Sequence, residues 1–345
     1  MQPMYYIGLD VHKRKISYCV KDSSGKVHTE GSIAATRLDL DHWMKKLPQP
    51  WSAAMEATMF TGWIYDRLKP HAATLKVAHP LMLRAIAAAK KKNDRIDAGK
   101  ICDCLRCDFL PESYMASTAI RERRRTLRYR SLVVRQMVQM KIKISALLME
   151  AGVSYNKQRL HKAGYFRELL ATNPDIDEGL CSLLRVCRET VVRLGKTESA
   201  LVRSLERDSL LVERVERLMS IPAVGPITAL TWALEVGDVQ RFSSIKKAIS
   251  YCGLCGAERS SGSTVQRTPL SKQRNKHLQT TLIEAAKMAP RYSPELAMLY
   301  DREKQKGNAN RATLAVARKL VAYLLAVDRG QRNFQIAETR STIAA

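Results

Sequence analysis

Tyr5-Tyr6-Ile7-Gly8-Leu9-Asp10-Val11 is the stretch on which the fold turns, because it reads as a buried strand that ends in a carboxylate. Working outward, Ile16 to Val20 is a second β-type run, and Ser23-Ser24-Gly25-Lys26 is a turn signal before a third, Val27 to Ile33. Thr36 is placed to cap a helix running through Leu38, Leu40, Trp43 and Met44 to about Leu47. A short strand from Trp51 to Met55 finishes at Glu56, a helix follows over Thr61 to Leu68, then a strand at Leu75 to Ala78 and a helix after Pro80. Three strands followed by alternating helix and strand predict an α/β sheet with helices packed on it.

Functional side chains in such sheets collect at strand ends, where Asp10 and Glu56 both fall. Two further acids, Asp94 and Asp97, sit three residues apart and share a face if their segment is helical. Lys90, Lys91, Lys92, Arg95 and Lys100 surround them, and Lys90, Lys91 and Lys92 are candidate phosphate contacts. One reading is a solvated, self-neutralising helix face, with Asp10 and Glu56 as strand-end residues facing water. The other is convergence of all four carboxylates, whose mutual repulsion divalent cations would neutralise. Oxygen ligands favour hard ions, and Mg²⁺ or Mn²⁺ between carboxylates and a phosphate suits phosphodiester chemistry.

Bulk charge narrows the partner. The 345 residues carry 58 Lys and Arg against 33 Asp and Glu, a formal net charge of +25, which points to a polyanion, nucleic acid before anionic membrane. No apolar run approaches the roughly 20 residues of a spanning helix. The start of the sequence has no signal-peptide layout, so the expected compartment is the cytosol. The eight cysteines are scattered and do not read as a disulfide framework. Cys102, Cys104 and Cys107 with Cys252 and Cys255 are conceivable zinc ligands, but they form no pair of clean knuckles.

After Phe109-Leu110-Pro111 the pattern turns helical. Arg121, Arg123, Arg124, Arg125, Arg128 and Arg130 open a helix whose Val133, Met137, Met140, Ile144 and Leu147 run at near-heptad spacing. A second long helix shows Leu180, Leu184, Cys187, Val191, Leu194, Leu201 and Leu205, with Glu198 in the one polar slot. The alternation of three and four residues indicates a coiled-coil seam, closed either within one chain or between two. Arg121, Arg124 and Arg128 are candidate contacts to a phosphate backbone, against the competing reading of a solvated face.

Met219 to Thr228 resembles a helix-hairpin-helix element, and Phe242 to Tyr251 reads as a short helix. Next comes Gly253-Leu254-Cys255-Gly256-Ala257-Glu258-Arg259-Ser260-Ser261-Gly262-Ser263, with Arg267, Lys272, Arg274 and Lys276 close behind. Hydroxyls in a small-residue loop flanked by bases form a surface where a serine could approach a phosphodiester, with neighbouring Arg and Lys able to stabilise the developing charge; Arg259, Lys272 and Arg274 are candidate nucleic-acid contacts.

Ile7 to Lys13, Met55-Glu56-Ala57-Thr58 and Asn93-Asp94-Arg95-Ile96-Asp97-Ala98 together resemble the RuvC-like (RNase H-like) domain of a family of bacterial insertion-sequence transposases. The Gly-Leu, Ser-Gly, Leu270-Ser271-Lys272, Asn275 and Leu282 to Ala286 elements are similar to that family's serine-bearing C-terminal domain. The resemblance implies that Asp10, Glu56, Asp94 and Asp97 bind Mg²⁺ or Mn²⁺. It also implies that Ser261, the serine preceding the glycine, attacks a DNA phosphate, with Ser260 its immediate neighbour. Some members of the family are described as bridge-RNA-guided recombinases, so a structured guide RNA and a dimer assembling to a tetramer are expected partners, in the bacterial cytosol and without a membrane. Two positions depart from the family pattern: Gly256 stands where a proline is usual, and Arg274 where a glycine is usual.

The resulting division is a RuvC-like α/β domain over 1–110, a helical coiled-coil region over 111–215 and a mainly α serine-bearing domain over 216–330. A flexible tail is expected over 331–345. A metal-dependent nuclease without a covalent serine step, or a non-catalytic basic nucleic-acid-binding protein, are the alternatives.

Overall fold

The computed structural model describes residues 4–86, 93–262 and 264–335, in two compact units, Met1–Thr118 and Ala119–Ala345. The expected helical middle and serine-bearing part thus share the second unit.

The first unit is built on a five-stranded sheet of order β3-β2-β1-β4-β5. Its strands are β1 (Tyr5–Val11), β2 (Lys15–Lys21), β3 (Val27–Ala34), β4 (Trp51–Glu56) and β5 (Thr74–Ala78). The first three are antiparallel, whereas β4 lies parallel to β1 and β5 parallel to β4. Helices α1 (Arg37–Met44), α2 (Thr61–Leu68), α3 (Pro80–Ile86) and α4 (Asp94–Arg106) complete it. Thr36 caps α1 as the sequence predicts, its hydroxyl accepting from Asp39 N.

Side chains alternate along β1, and the two faces have different tasks. Ile7, Leu9 and Val11 are buried in a core with Leu40, Trp43, Ile64 and Leu68 from α1 and α2. Gly8 lies on the other face, against α4. A Cβ at Gly8 would sit 2.0 Å from Ala98 O and 2.4 Å from Cys102 N, so the absence of a side chain is what lets the helix lie directly on the sheet. Cys102 Sγ reaches Tyr6 O at 3.1 Å, and Lys21 Nζ meets Asp103 Oδ2 at 2.6 Å, fixing the helix further along.

Among its described residues the second unit is helical apart from one hairpin. Its elements are α5 (Thr118–Glu150), α6 (Ala163–Thr172), α7 (Glu178–Glu206), α8 (Val212–Met219), α9 (Pro226–Val236), α10 (Ile245–Tyr251), the hairpin β6 (Gly256–Ser261) and β7 (Thr264–Leu270), α11 (Lys276–Met288), α12 (Pro294–Gln305) and α13 (Ala309–Gly330). The heptad positions of α5 and α7 face each other within this one chain. Ile144, Leu147, Leu184 and Val191 share a core with Phe166 and Leu169 of α6. Glu198, the polar slot of that seam, meets Arg130 at 2.6 Å.

Helix α9 is the axis of the remainder, with Ala229 to Val236 buried throughout. Asp328 of α13 receives both arms of the Arg214 guanidinium (2.8 and 2.7 Å) and Trp232 Nε1 (2.8 Å), joining α8, α9 and α13. The α8–α9 turn holds Ala223 at φ 67°, in the left-handed region. Phe334 falls within the stretch expected to be a flexible tail, yet it makes specific contacts. Phe334 stacks on Tyr323 at 4.7 Å between ring centroids, and its N–H donates to Ser220 Oγ at 2.7 Å, so an aromatic anchor docks residues just beyond α13. The rest of that tail, 336–345, lies outside the described residues. No helix among the described residues is long and apolar enough to cross a membrane.

Candidate metal centre and serine hairpin

Because Tyr6, Gly8 and Asp10 share the β1 face on which α4 lies, the Asp10 carboxylate points toward the start of that helix. Asn93 caps α4, its side chain accepting from Ile96 N at 2.8 Å, and this places Asp94 and Asp97 in the first turn. Carboxylates there face the positive end of the helix dipole. The result is a cluster in which one donor atom from each of Asp10, His12 and Asp94 lies within 4.8 Å of the others. His12 Nε2 is 3.2 Å from Asp10 Oδ2 and 3.5 Å from Asp94 Oδ1. Lys15 Nζ stands 3.7 Å from the other Asp94 oxygen, and Lys100 Nζ 3.7 Å from Asp97 Oδ1.

Burial holds the Asp10 carboxyl above its ordinary pKa. His12 opposes that shift, while the negative charges of Asp94 and Asp97 add to it. Asp97 supplies no atom to the three-donor group. Glu56 occupies the adjacent strand end. Leu9 pairs with Met55 in the parallel β1–β4 register, so Asp10 and Glu56 are the next residues on neighbouring strands. Its carboxylate stands outside the three-donor group. His12 is the residue that the sequence reading passed over. Its signal is the Asp-x-His spacing at a strand end, which returns the imidazole to the side of the aspartate. Carboxylates joined by an imidazole form a donor set that fits a divalent cation, whose charge would relieve the repulsion felt by Asp10.

Ser261 closes β6, pairs with Thr264 and is exposed. Gly262, at φ 59°, supplies the left-handed residue that a tight hairpin turn requires. Ser260 donates its hydroxyl to Glu258 Oε1 at 2.9 Å, whereas among the described residues no carboxylate or imidazole is bonded to the Ser261 hydroxyl. The two departures from the family pattern are accommodated locally. Arg274 lies over Gly253, where a Cβ would come 2.4 Å from Arg274 Cβ, and its guanidinium donates to Ser271 O at 3.0 Å. Gly256 opens β6 opposite Leu270, beside a register irregularity. Lys272 is exposed.

The arginine row at the start of α5 behaves differently from the sequence expectation. Arg128 grips Glu235 with two bonds of 2.7 Å, and Arg124 donates to Leu234 O at 2.8 Å and approaches Glu235 at 3.9 Å. Arg123 bonds Asp208 at 2.7 Å. Glu235 is 1% exposed, and Asn275 Nδ2 completes its coordination at 2.8 Å. Burial would raise the pKa of Glu235, but the hydrogen bonds and charge of Arg128, with Asn275 and Arg124, hold it below the ordinary carboxylate value. Arg121 is half-buried. Lys90, Lys91 and Lys92 lie outside the described residues, as does the side chain of Arg259.

Two family models match the chain, over the two regions just described. Residues 7–152 match the DEDD transposase domain of the IS110 type, and residues 215–301 match the transposase domain of the IS116/IS110/IS902 family. Both describe transposases, enzymes that cleave and rejoin DNA. The chain belongs to the IS110/IS116 transposase family, carrying both of its domains. Among its relatives, a putative transposase of Sinorhizobium fredii is 24% identical over 95% of this chain and 83% of its own length. The transposase of insertion sequence IS1328 from Yersinia enterocolitica is 24% identical over 91% of this chain and 93% of its own. A probable family 20 transposase of Pseudomonas aeruginosa is 23% identical, covering 83% and 84% respectively.

Proposed function

We propose that this transposase cuts and rejoins DNA through a covalent serine step assisted by a divalent-metal centre, within a RuvC-like first unit. The observation that carries the reading is the approach of Asp94 and His12 to Asp10 at the end of β1, beside Glu56 on the next parallel strand. Asp10, Glu56, Asp94 and Asp97, with His12, would hold Mg²⁺ or Mn²⁺. When bound, such an ion supplies Lewis-acid polarisation of a phosphoryl oxygen and neutralises charge developing on it. The chain's own groups do the rest. Asp10 and Asp94 supply oxygens at fixed separation, and α4 keeps them there through its cap.

In the covalent step Ser261 Oγ bonds to phosphorus and the bond from phosphorus to the departing sugar oxygen breaks. The serine proton goes to a base, and the departing oxygen takes up a proton. The hairpin then carries the strand as a phosphoserine diester until a sugar hydroxyl of the new partner reverses the exchange. The turn at Ala223 between α8 and α9 supports a helix-hairpin-helix contact to DNA. A structured guide RNA and assembly of dimers into tetramers belong to the same reading.

The test incubates the full chain with Mg²⁺ or Mn²⁺ and duplex DNA carrying the ends of its own element. A protein–DNA adduct that survives denaturation and vanishes in Ser261→Ala is expected. Hydrolysed DNA with Ser261→Ala still active would overturn the covalent step in favour of a nuclease, the reading to which the lack of a base on Ser261 among the described residues lends weight. Absence of any discrete transcript co-purifying with the chain would remove the guide RNA.

A further inference from the structure

The arginines at the start of α5 are largely spent on internal carboxylates, yet they border a surplus of positive charge. A cavity of about 360 Å³ opens between α5, α9 and α11. Arg128 and the buried Glu235 lie in its wall, and Arg135, Lys276 and His277 line it alongside the hydroxyls of Thr280 and Thr281. Arg135 and Lys276 are exposed, and among the described residues neither has a carboxylate partner. This sets them apart from Arg123, Arg128, Arg130 and Arg214, each bonded to an acid. Burial holds His277 below its ordinary pKa, and the charges of Arg128, Lys276 and Arg135 act in the same direction against Glu235. Arg128, Arg130, Arg135 and Lys276 stand in its lining against one carboxylate, Glu235, so the cavity is positive on balance.

We infer that this cavity seats a backbone phosphodiester of a nucleic-acid strand, gripped by Arg135 and Lys276. The inference rests on the reading of the chain as a nucleic-acid enzyme and adds where one strand is held. Three features of the site match that ligand. Two cations from different helices converge on one opening, so an anion bridging them gains from both. Arg128 is held in place by two bonds to Glu235 and brings a third cation whose orientation needs no rearrangement on binding. Threonine hydroxyls offer neutral donors to the remaining phosphate oxygens. The location also fits: Lys276 follows Asn275, and Ser271–Asn275 is the segment that returns the chain from the hairpin to α11. A strand seated here lies at the root of the element that carries Ser261.

The test measures binding of the full chain to three labelled oligonucleotides of one sequence, as single-stranded DNA, duplex DNA and RNA, across a salt series. Arg135→Gln with Lys276→Gln is compared with Lys287→Gln and Lys306→Gln, which remove the same charge from exposed lysines already paired with Glu284 and Glu303. The cavity pair is expected to weaken at least one probe about tenfold at physiological salt and to lower the slope of log affinity against log salt by about one. The control pair is expected to do neither. The probe affected identifies the strand as DNA or RNA. Equal losses in both pairs, or no loss with any probe, would overturn the inference. Its failure is distinguishable from that of the covalent mechanism. Cavity variants that bind and form the Ser261 adduct like the parent remove the cavity alone, and cavity variants that lose affinity in a chain that never forms an adduct remove the mechanism alone.

Discussion

The acidic centre and the serine hairpin differ in how much of the molecule holds them. Asp10 sits on the central strand of a five-stranded sheet, and its partners arrive on a helix laid against that strand at Gly8. Ser261 sits at the tip of a two-stranded ribbon, exposed, with Gly262 as its turn. An isolated hairpin draws little stability from itself, so this one depends on its root, where Asn275 ties α11 to Tyr251 and to Glu235. On the mechanism proposed above the difference has a chemical reason: like charges must be held against their own repulsion, whereas a nucleophile that carried a strand through an exchange would need reach.

The largest expected effects break one region and spare the other. Asp10→Asn should lower strand cleavage by about a thousandfold or more, and Ser261→Ala should abolish the adduct, with both variants retaining parental circular dichroism and melting behaviour. Next comes Gly8→Ala, whose methyl would meet Ala98 O at 2.0 Å. It should cost the first unit upward of about 3 kcal/mol in urea unfolding and weaken its metal binding in parallel, with the second unit's transition unmoved.

Glu235→Gln tests the support beneath the hairpin. Removing one partner of a buried pair costs roughly 3–5 kcal/mol, and Arg128 keeps about half its side chain in water, so about 2–3 kcal/mol is expected in the second unit. The pH dependence has a definite sign. The folded pKa of Glu235 is depressed, so its contribution is full above the ordinary carboxylate value and fades as pH falls through the folded value. The parent should therefore lose stability relative to the Gln variant as solutions are acidified below about pH 4.5, checked by unfolding curves at stepped pH.

Smaller effects sharpen the comparison. His12→Ala should weaken Mn²⁺ binding about tenfold and Mg²⁺ binding less, since an imidazole favours the softer ion, as titration calorimetry would read. Ser260→Ala should leave adduct formation within about twofold of the parent. A loss as deep as that of Ser261→Ala would reassign the nucleophile to the hydroxyl already bonded to Glu258.

Much of the first unit was legible because its signals are local. Strand alternation, the Thr36 cap and the Asp10 and Glu56 strand ends need only a few neighbouring residues. The apolar spacing of the two long helices was readable as well: Ile144, Leu147, Leu184 and Val191 share one core, and the structure supplied Arg130 as the partner of Glu198. What stayed hidden depends on distance along the chain. Arg128 looked like a free phosphate contact because its carboxylate lies 107 residues away. The docking of Phe334 spans 114 residues. His12 was hidden for another reason. A histidine beside an acidic strand end is unremarkable until a helix from elsewhere brings Asp94 to its ring.

Asn275 carries a last consequence. Its Oδ1 accepts from His277 N and Leu278 N while its Nδ2 donates to Glu235, so one side chain is an acceptor at one end and a donor at the other. Aspartate would preserve the cap and set a second negative charge against Glu235; serine would cap the helix and fall short of the carboxylate. Spontaneous hydrolysis of this one amide during storage would therefore turn an attraction into a repulsion at the hairpin's root, making chemical ageing at position 275 a route by which the enzyme loses its serine arm while the acidic centre stays intact.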